Sequence, residues 1–158
     1  MTEAELHRAL AEAIEETLEK MFFIPYLEEP GAGAAPQEEF AARLEFAGDP
    51  PGRLTLRIAA PVACSIAADF LGEDQLSSSE RRVQEVICEL ANMICGSVLS
   101  RVENATDFRL GAPRPVPRAE SSRPPGAVAH AVQTGGGSIE AVLEMEDLVC
   151  PASAKPAS

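Results

Sequence analysis

Residues 77–102 read "SSSERRVQEVICELANMICGSVLSRV", and the spacing within them decides the architecture. At about 100° per residue, Val83, Ile87, Leu90, Ile94 and Val98 fall on one face of a helix. Glu85, Glu89, Asn92 and Gly96 fall within a window of about 60° on the opposite face, by the same periodicity. The stretch therefore predicts a core-forming helix whose outer face carries a polar ridge. Ser77 followed by Glu80 fits a capping box at its start.

Upstream, "AELHRALAEAIEETLEKMFF" (residues 4–23) sets Leu6, Leu10, Ile14, Leu18 and Met21 at three- and four-residue steps. That is an amphipathic helix, with Pro25 helping to end it. "FAARLEFAG" and "GRLTLRIAA" alternate apolar and polar residues around "GDPPG", as an antiparallel hairpin with one wet face does. "PVACSIAADFLG" opens with Pro61 and closes at Gly72, the usual asymmetry of a short helix. Beyond the long helix, the prolines of "DFRLGAPRPVP" confine it to a sheet edge or an irregular end, and "VAHAVQTGGGSIEAVLEM" reads as a hairpin about its glycines. "EEPGAGAAPQEE" and "RAESSRPPGA" are loops. The expected fold class is α+β, with long helices packed on one face of an antiparallel sheet. Residues 1–150 form one domain and residues 151–158, "PASAKPAS", a disordered tail. A faint internal repeat aligns "TLEKMFF" with "ELANMIC", Leu18 with Leu90 and Met21 with Met93, and raises the question of a duplication.

The composition, 46% apolar, 24% charged and 4% aromatic with no Trp, implies an aliphatic core. A formal net charge of −12 argues against a nucleic-acid partner, since such binders draw affinity from clustered Lys and Arg. No apolar run approaches the ~18 to 20 residues needed to cross a bilayer, and "MTEAELHRAL" is acidic where a signal peptide is basic. The expectation is a cytoplasmic protein with no membrane partner. Cys64, Cys88, Cys95 and Cys150 show no CxxC pair, and His7 and His130 stand apart, so no metal site is expected. Cys88 and Cys95 raise a thiol sensor as a rival reading. A helix holds them about 10 Å apart at 1.5 Å per residue, however, too far for a disulfide between them.

The plain reading of the ridge is a solvated helix face. Against it, Asn is a poor helix former and Gly costs about 1 kcal/mol relative to Ala in a helix interior. Gly96 beside Asn92 would let another surface approach the backbone, and Leu99 and Cys88 border the ridge as candidate partner contacts. On the residues alone the solvated face remains the plainer reading, and a docking site is its rival.

"ELANMICG" resembles the E-x-x-N segment of the CheC, CheX and FliY phosphatases, which act on the phosphorylated chemotaxis response regulator CheY, and it is most similar to the CheX members. That family's motif runs Asp or Ser, three residues, Glu, two residues, Asn, then twenty-two residues and a Pro. Glu89, Asn92 and Pro115 meet this spacing, while Glu85 stands where the family prefers Asp or Ser. The likeness of pattern runs from the first helix through "SIAADFLGEDQLSSSE" to the last hairpin. The first helix offers Thr17 and Lys20 at the places matching Glu89 and Asn92, so one site is expected.

The resemblance implies that Glu89 and Asn92 are the catalytic pair, inserted into the active site of a CheY-like receiver domain. Glu85, Gly96, Leu99 and Pro115 would contact that partner. Glu89 would pair with a Lys there, and Asn92 would position the attacking water. The protein would need no cofactor of its own, Mg²⁺ being supplied by the partner with the phosphorylated Asp. It also implies a homodimer, because CheX-like proteins pair through their sheets. The alternative is a non-catalytic binding domain for a response regulator or a flagellar-switch component.

Overall fold

The structure, a computed structural model, describes residues 3–19, 39–48, 51–72, 79–102, 108–116, 127–134 and 137–145. Helix α1 (Glu3–Thr17) buries Leu6, Ala9, Leu10, Ala13 and Ile14, the three- and four-residue repeat read from the sequence. Glu3 and Glu5 occupy its first turn, where the helix dipole favours negative charge. Met21 and Pro25, expected to extend and stop this helix, lie outside the described residues, as do the tail 151–158, Lys20 and Ser77.

Strands β1 (Glu39–Ala47) and β2 (Gly52–Ala59) form the expected hairpin, paired antiparallel from Glu39↔Ala59 to Phe46↔Gly52. Helix α2 (Ala60–Leu71) has Pro61 in its first turn and stops at Gly72. That residue takes the left-handed conformation (φ 67°), and its N–H donates to the Ala68 carbonyl. Helix α3 (Glu80–Arg101) is capped by Ser79, whose Oγ accepts from the Arg82 N–H at 3.2 Å. This moves the start from the expected Ser77, and places Glu80 in the first turn instead of at the third helical position of a capping box.

After α3 the chain forms β3 (Arg109–Leu110) and β4 (Arg114–Pro115), both paired with β1, then the closing hairpin of β5 (Val128–Thr134) and β6 (Gly137–Met145). The sheet runs β3-β1-β2-β6-β5. The proline-rich segment is thus an edge, as its missing N–H groups require.

Register makes one face of this sheet the core. Leu44↔Leu54↔Leu143↔Val128 form one row across it, and Ile58↔Ile139↔Val132 another. All of these are buried, in a single cluster with the inward faces of the three helices. The opposite face is polar and is tied together by cross-strand pairs: Arg53 with Glu144 at 3.0 Å, Arg57 with Glu140 at 3.1 Å, and Arg43 Nε donating to Thr55 Oγ1 at 3.0 Å. The architecture is α+β, an antiparallel sheet with helices on one face.

Helix α3 is the largest single contributor to the helix layer. Val83, Val86, Ile87, Leu90, Ala91, Ile94, Cys95, Val98 and Leu99 are all buried. By length and composition alone it is apolar enough to cross a membrane, which corrects the expectation that no segment comes near that limit. Its inward side chains lie in the protein core, and Glu85, Glu89 and Asn92 break its outer face.

The two faces of α3 should therefore respond differently to truncation. Leu90→Ala removes a buried side chain and is expected to lower stability by about 2 to 5 kcal/mol, whereas Glu85→Ala stays within about 0.5 kcal/mol. Urea titration followed by circular dichroism measures both. A loss of similar size for the two variants would contradict this placement of the helix.

Candidate functional site

Because α3 is fixed by its buried face, its outer residues are held without any loop to position them. Glu85 and Glu89 are exposed, and Asn92 and Gly96 half-buried. They rise along one side of the helix over three turns. Arg81 Nε lies 3.5 Å from Glu85 Oε2, one turn before it, but both side chains are largely in solvent (87% and 65% exposed). An exposed pair of this kind contributes little and leaves Glu85 free to exchange partners.

The chain returning from α3 supplies a second wall. Leu110 pairs with Phe46 and Pro115 with Ala42, and the Gly111 N–H donates to the Glu45 carbonyl at 2.7 Å. The Val116 N–H and the Gln84 Nε2 amide both donate to the Ala41 carbonyl at 3.1 Å, so the start of α3, β1 and β4 meet at one atom. Phe108 stacks edge-on against Phe46 (centroids 5.8 Å apart) behind this strap. Leu110 lies beside the far end of the ridge, with its Cδ2 4.0 Å from where a Cβ on Gly96 would stand.

Glu85, Glu89, Asn92 and Gly96 thus share one surface, with Pro115 exposed on the flanking strap. Leu99 is not part of it. Although only about 40° from Glu85 on an ideal helix, Leu99 is 6% exposed and belongs to the core cluster. It offers no surface to a partner, which corrects its assignment as a contact residue. Thr17, the α1 counterpart of Glu89, is buried as well, so that position presents no second ridge. Periodicity missed Leu110 and Gln84. The one signal for Leu110 was a large apolar residue in a proline-rich edge segment with nothing of its own to bury.

The chemistry on offer is narrow. The Asn92 side chain can accept one hydrogen bond and donate others, and the Glu89 carboxylate only accepts. Among the described residues no group of three or more His, Cys, Asp or Glu converges as metal ligands would.

The family described as "Chemotaxis phosphatase CheX" matches residues 40–149. Among solved structures, the chain is similar to the chemotaxis protein CheX from Vibrio vulnificus (14% identity, TM-score 0.69, covering 88% of this chain and 95% of that one). CheX from Desulfovibrio desulfuricans superposes with TM-score 0.67 at 18% identity, over 90% of this chain and 99% of that one. A complex of CheX with CheY, BeF3 and Mg²⁺ from Borrelia burgdorferi matches with TM-score 0.68 at 16% identity, over 89% and 97%. At these identities the likeness establishes the fold. Comparison with curated proteins gave no significant sequence match.

The thiols on α3 have a different character from the ridge. Cys88 is half-buried and accepts weakly from Gln84 Nε2 at 3.8 Å; burial pushes its pKa up, the Gln84 hydrogen bond lowers it, and the Glu85 and Glu89 carboxylates add to the rise. Cys95 is fully buried, and burial alone pushes its pKa up to about 12. Both thiols are protonated at neutral pH and poor nucleophiles, which weakens the thiol-sensor reading. A raised folded pKa adds stability that is present below the unfolded value of about 8.5 and lost as pH climbs toward the folded value. Stability is therefore expected to fall between about pH 8.5 and 12, and Cys95→Ala should flatten that fall while lowering stability at pH 7. Urea midpoints measured from pH 7 to 10.5 check this; an unchanged alkaline slope in Cys95→Ala would contradict it.

Proposed function

This chain belongs to the chemotaxis phosphatase CheX family, and we propose that it accelerates hydrolysis of the aspartyl phosphate of a CheY-like receiver domain by inserting Glu89 and Asn92 into the receiver's active site. The observation that carries this reading is the position of those two residues. They stand three apart on the outer face of the helix most firmly held by the core, with the family's spacing to Pro115 on the strap beside it. Assembly of the Borrelia burgdorferi relative with CheY supports a receiver as the partner.

An aspartyl phosphate is an acyl phosphate, and its hydrolysis chiefly needs a water held in line with the phosphorus. Asn92 suits that task because its neutral amide can accept from the water while donating to a phosphoryl oxygen. A carboxylate at the same place would repel the phosphoryl group. Glu89 serves as the anchor, pairing with a Lys of the receiver. In this reading Mg²⁺ and the phosphorylated Asp both belong to the receiver, and the protein acts in the cytoplasm where receivers are found. Glu85, in place of Asp or Ser, is the one departure that favours the alternative of a non-catalytic binding domain for a response regulator or flagellar-switch component.

Asn92→Ala and Glu89→Ala should both abolish the acceleration under dilute conditions while leaving the fold intact, and they should fail differently. Loss of Glu89 weakens docking by roughly 1.5 to 3 kcal/mol, the range for a hydrogen bond to a charged group. Loss of Asn92 leaves docking nearly unchanged and removes the water's alignment, so saturating concentrations do not rescue it. Asn92→Asp should be as inactive as Asn92→Ala. The measurement is the receiver's dephosphorylation rate against protein concentration, with circular dichroism as the folding control. Wild-type rates from folded Asn92→Ala would remove the catalytic reading and leave the binding domain standing.

The same reading includes a homodimer. Among the described residues β5 ends the sheet on one side and the short β3 and β4 on the other, so pairing between sheets has edges to use. Sedimentation at micromolar concentration is expected to give twice the single-chain mass; a monomer throughout would count against it.

A further inference from the structure

Gly96 sits in the interior of a 22-residue helix, four residues before Ser100 and one turn beyond Asn92. Glycine weakens a helix there, and its usual justification is a neighbour too close for a Cβ. No such neighbour exists within the described protein. A Cβ at Gly96 would meet only Leu110 Cδ2, at 4.0 Å, an ordinary van der Waals distance. At Gly52, by contrast, a Cβ would run into the Glu144 carbonyl oxygen, and the fold itself demands the glycine.

Leu110 is the other half of the observation. It is 37% exposed, one of two large apolar side chains so placed among the described residues, the second being Phe70 on α2. Strand pairing with Phe46 and the Gly111 hydrogen bond to Glu45 hold its backbone rigidly beside Gly96. A gap over a helix backbone and a fixed leucine therefore adjoin at the Asn92 end of the ridge.

We infer that Gly96 and Leu110 form a seat for one apolar side chain of the receiver, on the receiver face that carries the phosphorylated aspartate, and that this contact sets which receivers the protein accepts. The inference rests on the proposed function for the identity of the partner. An apolar occupant fits because the seat is a leucine and bare helix backbone, and because the charged half of the ridge, Glu85 and Glu89, lies at the other end. Its continuity with Asn92 puts the seat within one helical turn of the chemistry.

The test is calorimetric binding of a cognate receiver, held in its activated form with BeF3 and Mg²⁺, to wild type, Gly96→Ala, Gly96→Leu, Leu110→Asn and the control Phe70→Asn. Gly96→Ala should raise the thermal midpoint by roughly 2–4 °C, because it removes a helix penalty with room to spare, and should nevertheless weaken binding. Leu110→Asn should weaken it about tenfold or more, as expected for loss of a buried apolar contact, and Gly96→Leu should do so by filling the seat. Phe70→Asn should bind normally. Wild-type affinity in Gly96→Leu, or equal losses in Phe70→Asn, would overturn the seat. Gly96→Ala keeps the test decisive should Leu110→Asn fail to fold. If wild type binds the receiver through this seat yet does not speed phosphoryl loss, the phosphatase reading fails and the seat stands; absence of any binding overturns both.

Discussion

The packing of α3 against the sheet is the constraint on which the rest depends. Nine of its side chains are buried, which fixes the helix in rotation as well as position. Rotation matters most, because a slip of one residue turns the helix by about 100° and would carry Asn92 and Glu89 off the surface. Burying side chains such as Ile87, Leu90 and Ile94, each worth roughly 1.5 to 3 kcal/mol, is thus what orients the polar ridge. The Gln84 amide locks the start of the helix to the same Ala41 carbonyl that holds the strap.

In the proposed function, this arrangement is what would let so short a motif form a site. A site on loops would need neighbours to order it, whereas Glu89 and Asn92 inherit rigidity from the core one side chain away. The strap then adds a flank at modest expense in structure: two short strand pairs, two further backbone hydrogen bonds and the stacking of Phe108 on Phe46. The membrane-like composition of α3 has the same origin, since its inward face is apolar and buried in the core.

Much of this was legible in the sequence because it is local. The alternation in β1 and β2, the Pro61 start and Gly72 stop of α2, and the two faces of α3 are periodicities or turn chemistries that a short window contains. The cap was misplaced by two residues because three consecutive serines can each serve, and only tertiary context selects Ser79. Leu99 was misread for a deeper reason. Its angle on the helix places it near the ridge, but it is buried in the core cluster, and no pattern within the helix reports what the rest of the chain packs against it. The return of the chain as β3 puts Leu110 beside Gly96, and no reading of either residue alone reveals that they meet.

The central claim is that the ridge of α3 works on a phosphorylated receiver. The most direct measurement mixes the purified protein with a panel of phosphorylated receiver domains from the same cell and follows release of phosphate. The account predicts that at least one CheY-like receiver loses its phosphoryl group faster in proportion to the protein added, while unrelated receivers decay at their own rates. Unchanged decay across the whole panel, with the protein folded and receivers in excess, would contradict it.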